Sequence, residues 1–126
     1  MQSFAYAALR IVSGFMFACH GVQKLFGVWG GHPPPMWSQI WFSGLIELVC
    51  GVLVALGLFT RLAALLASGE MAVAYFQFHW KLAMDNNMFL PIMNKGELSA
   101  LYCFVFFLFA LSGAGAYSID ARRGRM

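Results

Sequence analysis

The chain has 126 residues, of which 61% are hydrophobic and only 10% charged, with a formal net charge of +3. Soluble proteins carry about 25% charged and about 45–50% apolar residues, and a short globule with mean hydropathy +0.73 would leave much apolar surface in water. A soluble monomer, a disordered chain and a two-domain protein are thereby excluded, and a small integral membrane protein remains.

Crossing a hydrocarbon core of ~30 Å takes about 20 mostly apolar residues. Windows at roughly 4–26, 39–59, 62–82 and 97–116 qualify. They are continuous rather than alternating and rich in Ala, Leu and Met, so helices are expected and a membrane barrel is not. The fold class predicted is all-α: an integral membrane four-helix bundle, up-down-up-down, forming one transmembrane domain over residues 1–126.

The first window has no basic stretch before it, is too long for the apolar region of a secretory signal, and ends in Lys24-Leu25-Phe26-Gly27 rather than a small-residue cleavage site. It is expected to persist as a first span. Gly30, Gly31, Pro33, Pro34 and Pro35 then break the helix, and Gly57 and Thr60 mark a tight turn between the second and third spans. Short turns force antiparallel neighbours. The third connection, 85–96, holds Asn86, Asn87, Pro91 and Asn94 beside an apolar run at 88–90 that would let it dip into the interface.

With this topology Arg61, Arg122, Arg123 and Arg125 fall on one side, and Lys24, Lys81 and Lys95 on the other. Arg10 can snorkel to the arginine side, and Trp29, Trp37, Trp41 and Trp80 gather at the lysine side. The positive-inside rule then places both termini in the cytoplasm. The arginine tail suits an anionic lipid surface and is too short for a nucleic-acid footprint, so no nucleic-acid partner is expected.

Ionisable side chains inside a span are costly and mark functional candidates. At 1.5 Å per residue, Arg10 and Glu70 both come out roughly 10–12 Å from the arginine side, at similar height. They are expected to form a buried ion pair, serving structure, carrying protons or binding a ligand. On the first span Arg10, Gly14, Phe17, Gly21 and Lys24 fall in one narrow arc, flanked by His20, and this stripe should face protein. On the second span Glu47 shares a face with Ser43, Gly44, Cys50 and Gly51. His20, Lys24 and Glu47 are therefore the ligand-binding candidates, either as structural glue or as a polar pocket. His79, Glu97 and Tyr102 are secondary candidates; His79 reads as an interface residue and Tyr102 as a packed aromatic, although Tyr102 could offer its hydroxyl to the cluster. Glu97 opens the fourth span, where a carboxylate suits the helix N-terminus.

No metal site is expected. His32, Met36, Met84, Met88 and Met93 all fall on the lysine side and would suit Cu(I), but no spacing supports it. Cys19, Cys50 and Cys103 show no CxxC or haem-attachment spacing and read as small packed hydrophobes rather than redox thiols. No haem, flavin, nicotinamide or zinc motif is present, whereas a bound quinone or lipid would leave no such motif.

Taken together, Leu9-Arg10-Ile11-Val12-Ser13-Gly14 and His20-Gly21-Val22-Gln23-Lys24-Leu25-Phe26-Gly27 resemble the first span of the DoxX family of small bacterial membrane proteins. Glu47-Leu48-Val49-Cys50-Gly51 and Gly57-Leu58-Phe59-Thr60-Arg61 resemble its second span and the turn after it. Asn94-Lys95-Gly96-Glu97-Leu98 and Gly113-Ala114-Gly115-Ala116-Tyr117-Ser118-Ile119-Asp120 resemble its last span and tail, with Ala114 standing where the family often has Pro. The resemblance implies a multi-pass protein of the bacterial inner membrane, related to the membrane subunit of an archaeal thiosulfate:quinone oxidoreductase and to proteins of thiol and sulfur redox balance.

The leading expectation is a membrane subunit of quinone-linked sulfur or thiol redox chemistry. His20 and Lys24 would donate hydrogen bonds to a quinone-like ligand, Glu47 would accept a proton, and a redox protein partner would bring the electrons. Any enzyme activity would be that of an oxidoreductase subunit. The alternative is a non-enzymatic scaffold or maturation factor that recruits such a partner. A small transporter is the third reading, and with four spans per chain it would need a homo-oligomer.

Overall fold

The computed structural model describes residues 2–31, 33–76 and 96–123. These form α1 (Gln2–Phe26), α2 (Gln39–Leu56), α3 (Thr60–Ala74), α4 (Glu97–Ser112) and a short α5 (Ile119–Arg122), with no strand among the described residues. Ser3–Phe26, with 24 residues, and Gln39–Leu56, with 18, are long and apolar enough to cross a membrane. Glu97–Ser112 is a shorter apolar helix of 16 residues.

Helix ends differ from the sequence expectation where backbone chemistry intervenes. The second span was expected to reach residue 59, but α2 stops at Leu56 because Gly57 takes the left-handed conformation, φ 72°. The Gly57 N–H donates to Val54 O at 3.0 Å and the Leu58 N–H to Leu53 O at 2.9 Å, the two bonds of a Schellman cap. The fourth span, expected to run to 116, stops at Ser112, where Gly113 turns the chain away with φ 83° and ψ −168°. The short α5, opened by the Ser118 side chain accepting the Ala121 N–H, has no counterpart in the sequence reading. The part of the third window from 77 to 82 lies outside the described residues.

α1 and α2 pack antiparallel at backbone distance. A Cβ added at Gly14 would lie 2.5 Å from Ala55 N and 2.7 Å from Gly51 O, and one at Gly21 would lie 2.7 Å from Gly44 O. Small residues facing each other on both helices permit this approach, which compensates in a lipid environment for the missing hydrophobic driving force between helices. α3 and α4 form the second intimate pair. Ala63, Ala64 and Ala67 present a small face on α3 opposite the larger Phe106 and Phe109 of α4, and all five are buried in one cluster. Ser68 Oγ donates to Cys103 O at 2.7 Å across this pair. Phe17 joins the two pairs, its ring centroid 4.6 Å from that of Phe106. The cysteines are free, with Cys50 buried and Cys19 and Cys103 half-buried among the helices.

The predicted stripe on α1 is the buried face: Arg10 is 1% exposed and Phe17 fully buried. Large apolar side chains point outward instead, Phe4, Phe15, Leu62, Leu101 and Phe104 among them. Such a surface is stable against acyl chains and unstable against water.

Candidate functional site

The α2–α3 hairpin sets the site. Glu47 stands ten residues before Gly57 and Glu70 ten residues after Thr60, so the antiparallel helices bring the two carboxyls to one level, ~15 Å from the turn. Ser43, one helical turn before Glu47, hydrogen-bonds both: its Oγ lies 2.8 Å from Glu47 Oε2 and is also bonded to Glu70 Oε1. From α1, Lys24 Nζ donates to Ser43 Oγ at 3.1 Å and forms an ion pair with Glu47. The Glu47 side chain is 2% exposed, whereas Lys24 keeps 34% of its own accessible.

Beside this cluster lies a cavity of about 240 Å³ lined by His20, Lys24, Glu47 and Tyr102, with Phe17 and Met71 on its apolar walls. The His20 ring meets the Tyr102 ring edge to face, centroids 6.1 Å apart. The Tyr102 hydroxyl is buried without a hydrogen-bond partner. An orphaned buried hydroxyl costs about 1–3 kcal/mol, which a ligand offering an acceptor would recover. Glu70 Oε2 is likewise buried and unpartnered. A second cavity, about 470 Å³, opens between α2 and α3, with Gln39, Ser43 and Glu70 as its polar groups and Ile46, Leu65, Gly69 and Val73 among its apolar ones.

The structure therefore brings His20, Lys24, Glu47 and Tyr102 around one cavity, and Ser43 is the hub that the sequence reading placed on the right face without giving it a role. Arg10 and Glu70 are not brought together. The Arg10 guanidinium donates to three carbonyls, Val54 O at 3.0 Å, Tyr117 O at 2.8 Å and Ala114 O. Val54 stands three residues before Gly57, which puts Arg10 near the turn while Glu70 sits ten residues beyond Thr60. Equal height assumed helix ends at the membrane boundary, whereas the hairpin turn defines the true level. Glu97 is exposed as the first residue of α4. His79, and with it His32, Met84, Met88 and Met93, lies outside the described residues. Among the described residues no three of His, Cys, Asp and Glu stand close enough together to hold a metal ion.

Comparison with known proteins gives a family and no function. The DoxX family matches residues 5–80, which carry Arg10, His20, Lys24, Ser43, Glu47 and Glu70 but not Tyr102. A Haemophilus influenzae protein described only as uncharacterized is 44% identical over 118 residues, covering 90% of this chain and 87% of its own. A Mycobacterium tuberculosis protein described as an uncharacterized membrane protein is 29% identical over 135 residues, covering 90% of this chain and 78% of its own. No solved structure matches.

Proposed function

From the premise that this chain belongs to the DoxX family of membrane proteins, we propose that it is a multi-pass subunit of the bacterial inner membrane, serving quinone-linked sulfur or thiol redox chemistry. Its four spans run up-down-up-down with both termini in the cytoplasm, and the cavity beside Glu47 holds the head of a quinone-like ligand. The observation that carries this reading is the unpartnered Tyr102 hydroxyl facing the same cavity as His20 and Lys24. Three donor groups around one apolar-walled space suit a flat ring bearing carbonyl acceptors.

At about 240 Å³ the cavity falls below the ~300–1,000 Å³ of pockets that bury whole drug-sized ligands, so it suits a ring without its tail. Lys24 and His20 donate to the ring carbonyls, Phe17 and Met71 exclude water, and Glu47, held in place by Lys24 and Ser43, accepts a proton at its carboxylate and would hand it on to a ring oxygen as the ring is reduced. When bound, a quinone supplies the electron-accepting chemistry that the side chains lack. Electrons reach it through a redox protein partner.

Binding of a short-tailed quinone to gently purified protein tests the site. Glu47→Gln and His20→Ala are expected to weaken binding, and Tyr102→Phe to weaken it with the fold intact. Unchanged binding in both Glu47→Gln and His20→Ala overturns the site. The scaffold reading draws on a different observation: Arg10 is tied to three backbone carbonyls, and Met36 and Trp37 project from the loop at 66% and 68% exposure. It predicts that substitutions at 33–37 abolish partner recruitment in cells while quinone binding is untouched.

A further inference from the structure

Lys24, Ser43, Glu47 and Glu70 form one hydrogen-bonded chain drawn from α1, α2 and α3. A serine hydroxyl has one proton and two lone pairs. Lys24 Nζ occupies one lone pair of Ser43 Oγ, at 3.1 Å. One proton and one lone pair are left for two carboxyl groups. Were both ionised, each would need the serine proton, and one of the two contacts would set lone pair against lone pair. One carboxyl must therefore donate. Glu47 is ion-paired with Lys24, whereas among the described residues Glu70 forms no ion pair, and its second oxygen is buried without a hydrogen-bond partner. A neutral carbonyl oxygen tolerates that position far better than half of a carboxylate does.

We infer that Glu70 is a carboxylic acid donating to Ser43, and that Glu70, Ser43 and Glu47 form a proton relay joining the cavity between α2 and α3 to the cavity beside Lys24. Glu70 and Ser43 line the cavity between α2 and α3, Glu47 lines the cavity beside Lys24, and Ser43 is hydrogen-bonded to both carboxyls. In the relay step the Glu70 O–H bond breaks as its proton passes to Ser43 Oγ. The Ser43 O–H bond breaks in concert, and that proton forms a new O–H bond on Glu47. Glu70 is left as the carboxylate and Glu47 as the acid, and no electrons change hands. Water in the α2–α3 cavity reprotonates Glu70, and water in the cavity beside Lys24 takes the proton from Glu47. Among the described residues, the other titratable groups set toward this pair are His20 and Lys24 from α1, Cys50 from α2 and Tyr102 from α4. The relay goes beyond the quinone reading, because it follows from the hydrogen-bond inventory of the chain alone.

Infrared spectroscopy of the full chain in lipid vesicles, without ligand, tests it apart from quinone binding. The chain has five Asp and Glu side chains, so a protonated carboxyl can be assigned by substitution. At neutral pH one carboxylic-acid carbonyl band is expected, shifting in deuterated water, lost in Glu70→Gln and kept in Glu97→Gln. Ser43→Ala removes the acceptor of the Glu70 proton while leaving both carboxyls. It is expected to shift the band and slow its deuterium exchange, a readout that holds even if Glu70→Gln fails to fold. A wild-type spectrum with no such band, a band that survives Glu70→Gln, or a Ser43→Ala band unchanged in position and exchange overturns the inference.

Discussion

The Asp120 carboxylate accepts the Thr60 backbone N–H at 2.9 Å through Oδ2, capping α3 from the far end of the chain. Through Oδ1 it accepts the Phe59 N–H at the same distance. Phe59 occupies the cap position of α3 with φ 50° and no side-chain cap of its own. The Asp120 N–H in turn donates to Gly57 O at 2.8 Å, so the tail closes over the α2–α3 turn that sets the level of Glu47 and Glu70.

This cap predicts an acid-sensitive tail. Burial alone would raise the Asp120 carboxyl, but the Thr60 and Phe59 N–H groups outweigh it and hold the group below the ordinary carboxylate range. A carboxyl lower in the folded than in the unfolded state adds stability above the unfolded value of ~3.9 and loses it as pH falls through the folded value. Asp120→Ala is expected to cost about 1.5–3 kcal/mol at neutral pH, in the range of hydrogen bonds to charged groups. In denaturation series across acid pH, the gap between wild type and variant should close as pH drops below that range, and a constant gap would refute the assignment.

Arg10→Lys tests the other tie to the tail. One ammonium on a flexible stem cannot replace a planar fork serving Val54, Ala114 and Tyr117. Leaving a buried carbonyl unsatisfied costs about 1–3 kcal/mol. The tail should detach as well, read as faster tryptic cleavage at Arg122 and Arg123. Cleavage at the wild-type rate would show that the three carbonyls do not hold the tail.

Gly21→Ala should loosen the α1–α2 pair, because the added methyl would lie 2.7 Å from Gly44 O, a backbone atom unable to yield alone. Overpacking of this kind costs about 1–3 kcal/mol. Gly69 meets nothing within 4 Å, so Gly69→Ala is the matched control, expected to be neutral or to gain up to about 1 kcal/mol of helix propensity. Thermal unfolding in one detergent compares the two, and equal losses would mean the close approach does not govern packing.

Glu47→Gln and Glu70→Gln should part company in stability. A glutamine reproduces the shape and donor of a carboxylic acid, so Glu70→Gln is expected to cost less than about 1 kcal/mol. Glu47→Gln removes the partner of Lys24 and should cost about 1.5–3 kcal/mol, moderated by the partial exposure of the lysine. Denaturant titration of both variants in the same lipid mixture decides it, and a larger loss for Glu70→Gln contradicts the assigned proton.

Much of the α1 face was legible before any coordinates, because residues at 100° steps must share a side of a helix whatever surrounds it. That placed Arg10, Gly14, Phe17, Gly21 and Lys24 together, and Ser43 with Glu47. The partner of Glu70 was not legible in the same way. Height along a helix depends on where the turn falls, and counting from assumed span ends put Glu70 level with Arg10. Counting outward from Gly57 would have put it level with Glu47. Tyr102 reads from the sequence as a packed aromatic first and a hydroxyl for the cluster second, because nothing in a sequence tells whether a buried hydroxyl finds a partner.

By itself the sequence determined the membrane character, the apolar helical segments and the polar face of each, since these follow from composition and a fixed helical repeat. Only the tertiary structure decided which polar groups meet: that Arg10 goes to backbone carbonyls, that Asp120 caps α3, and that Ser43 joins Glu47 to Glu70. Such pairings depend on helix register and on where each helix stops, and both are set by contacts between segments distant in the chain.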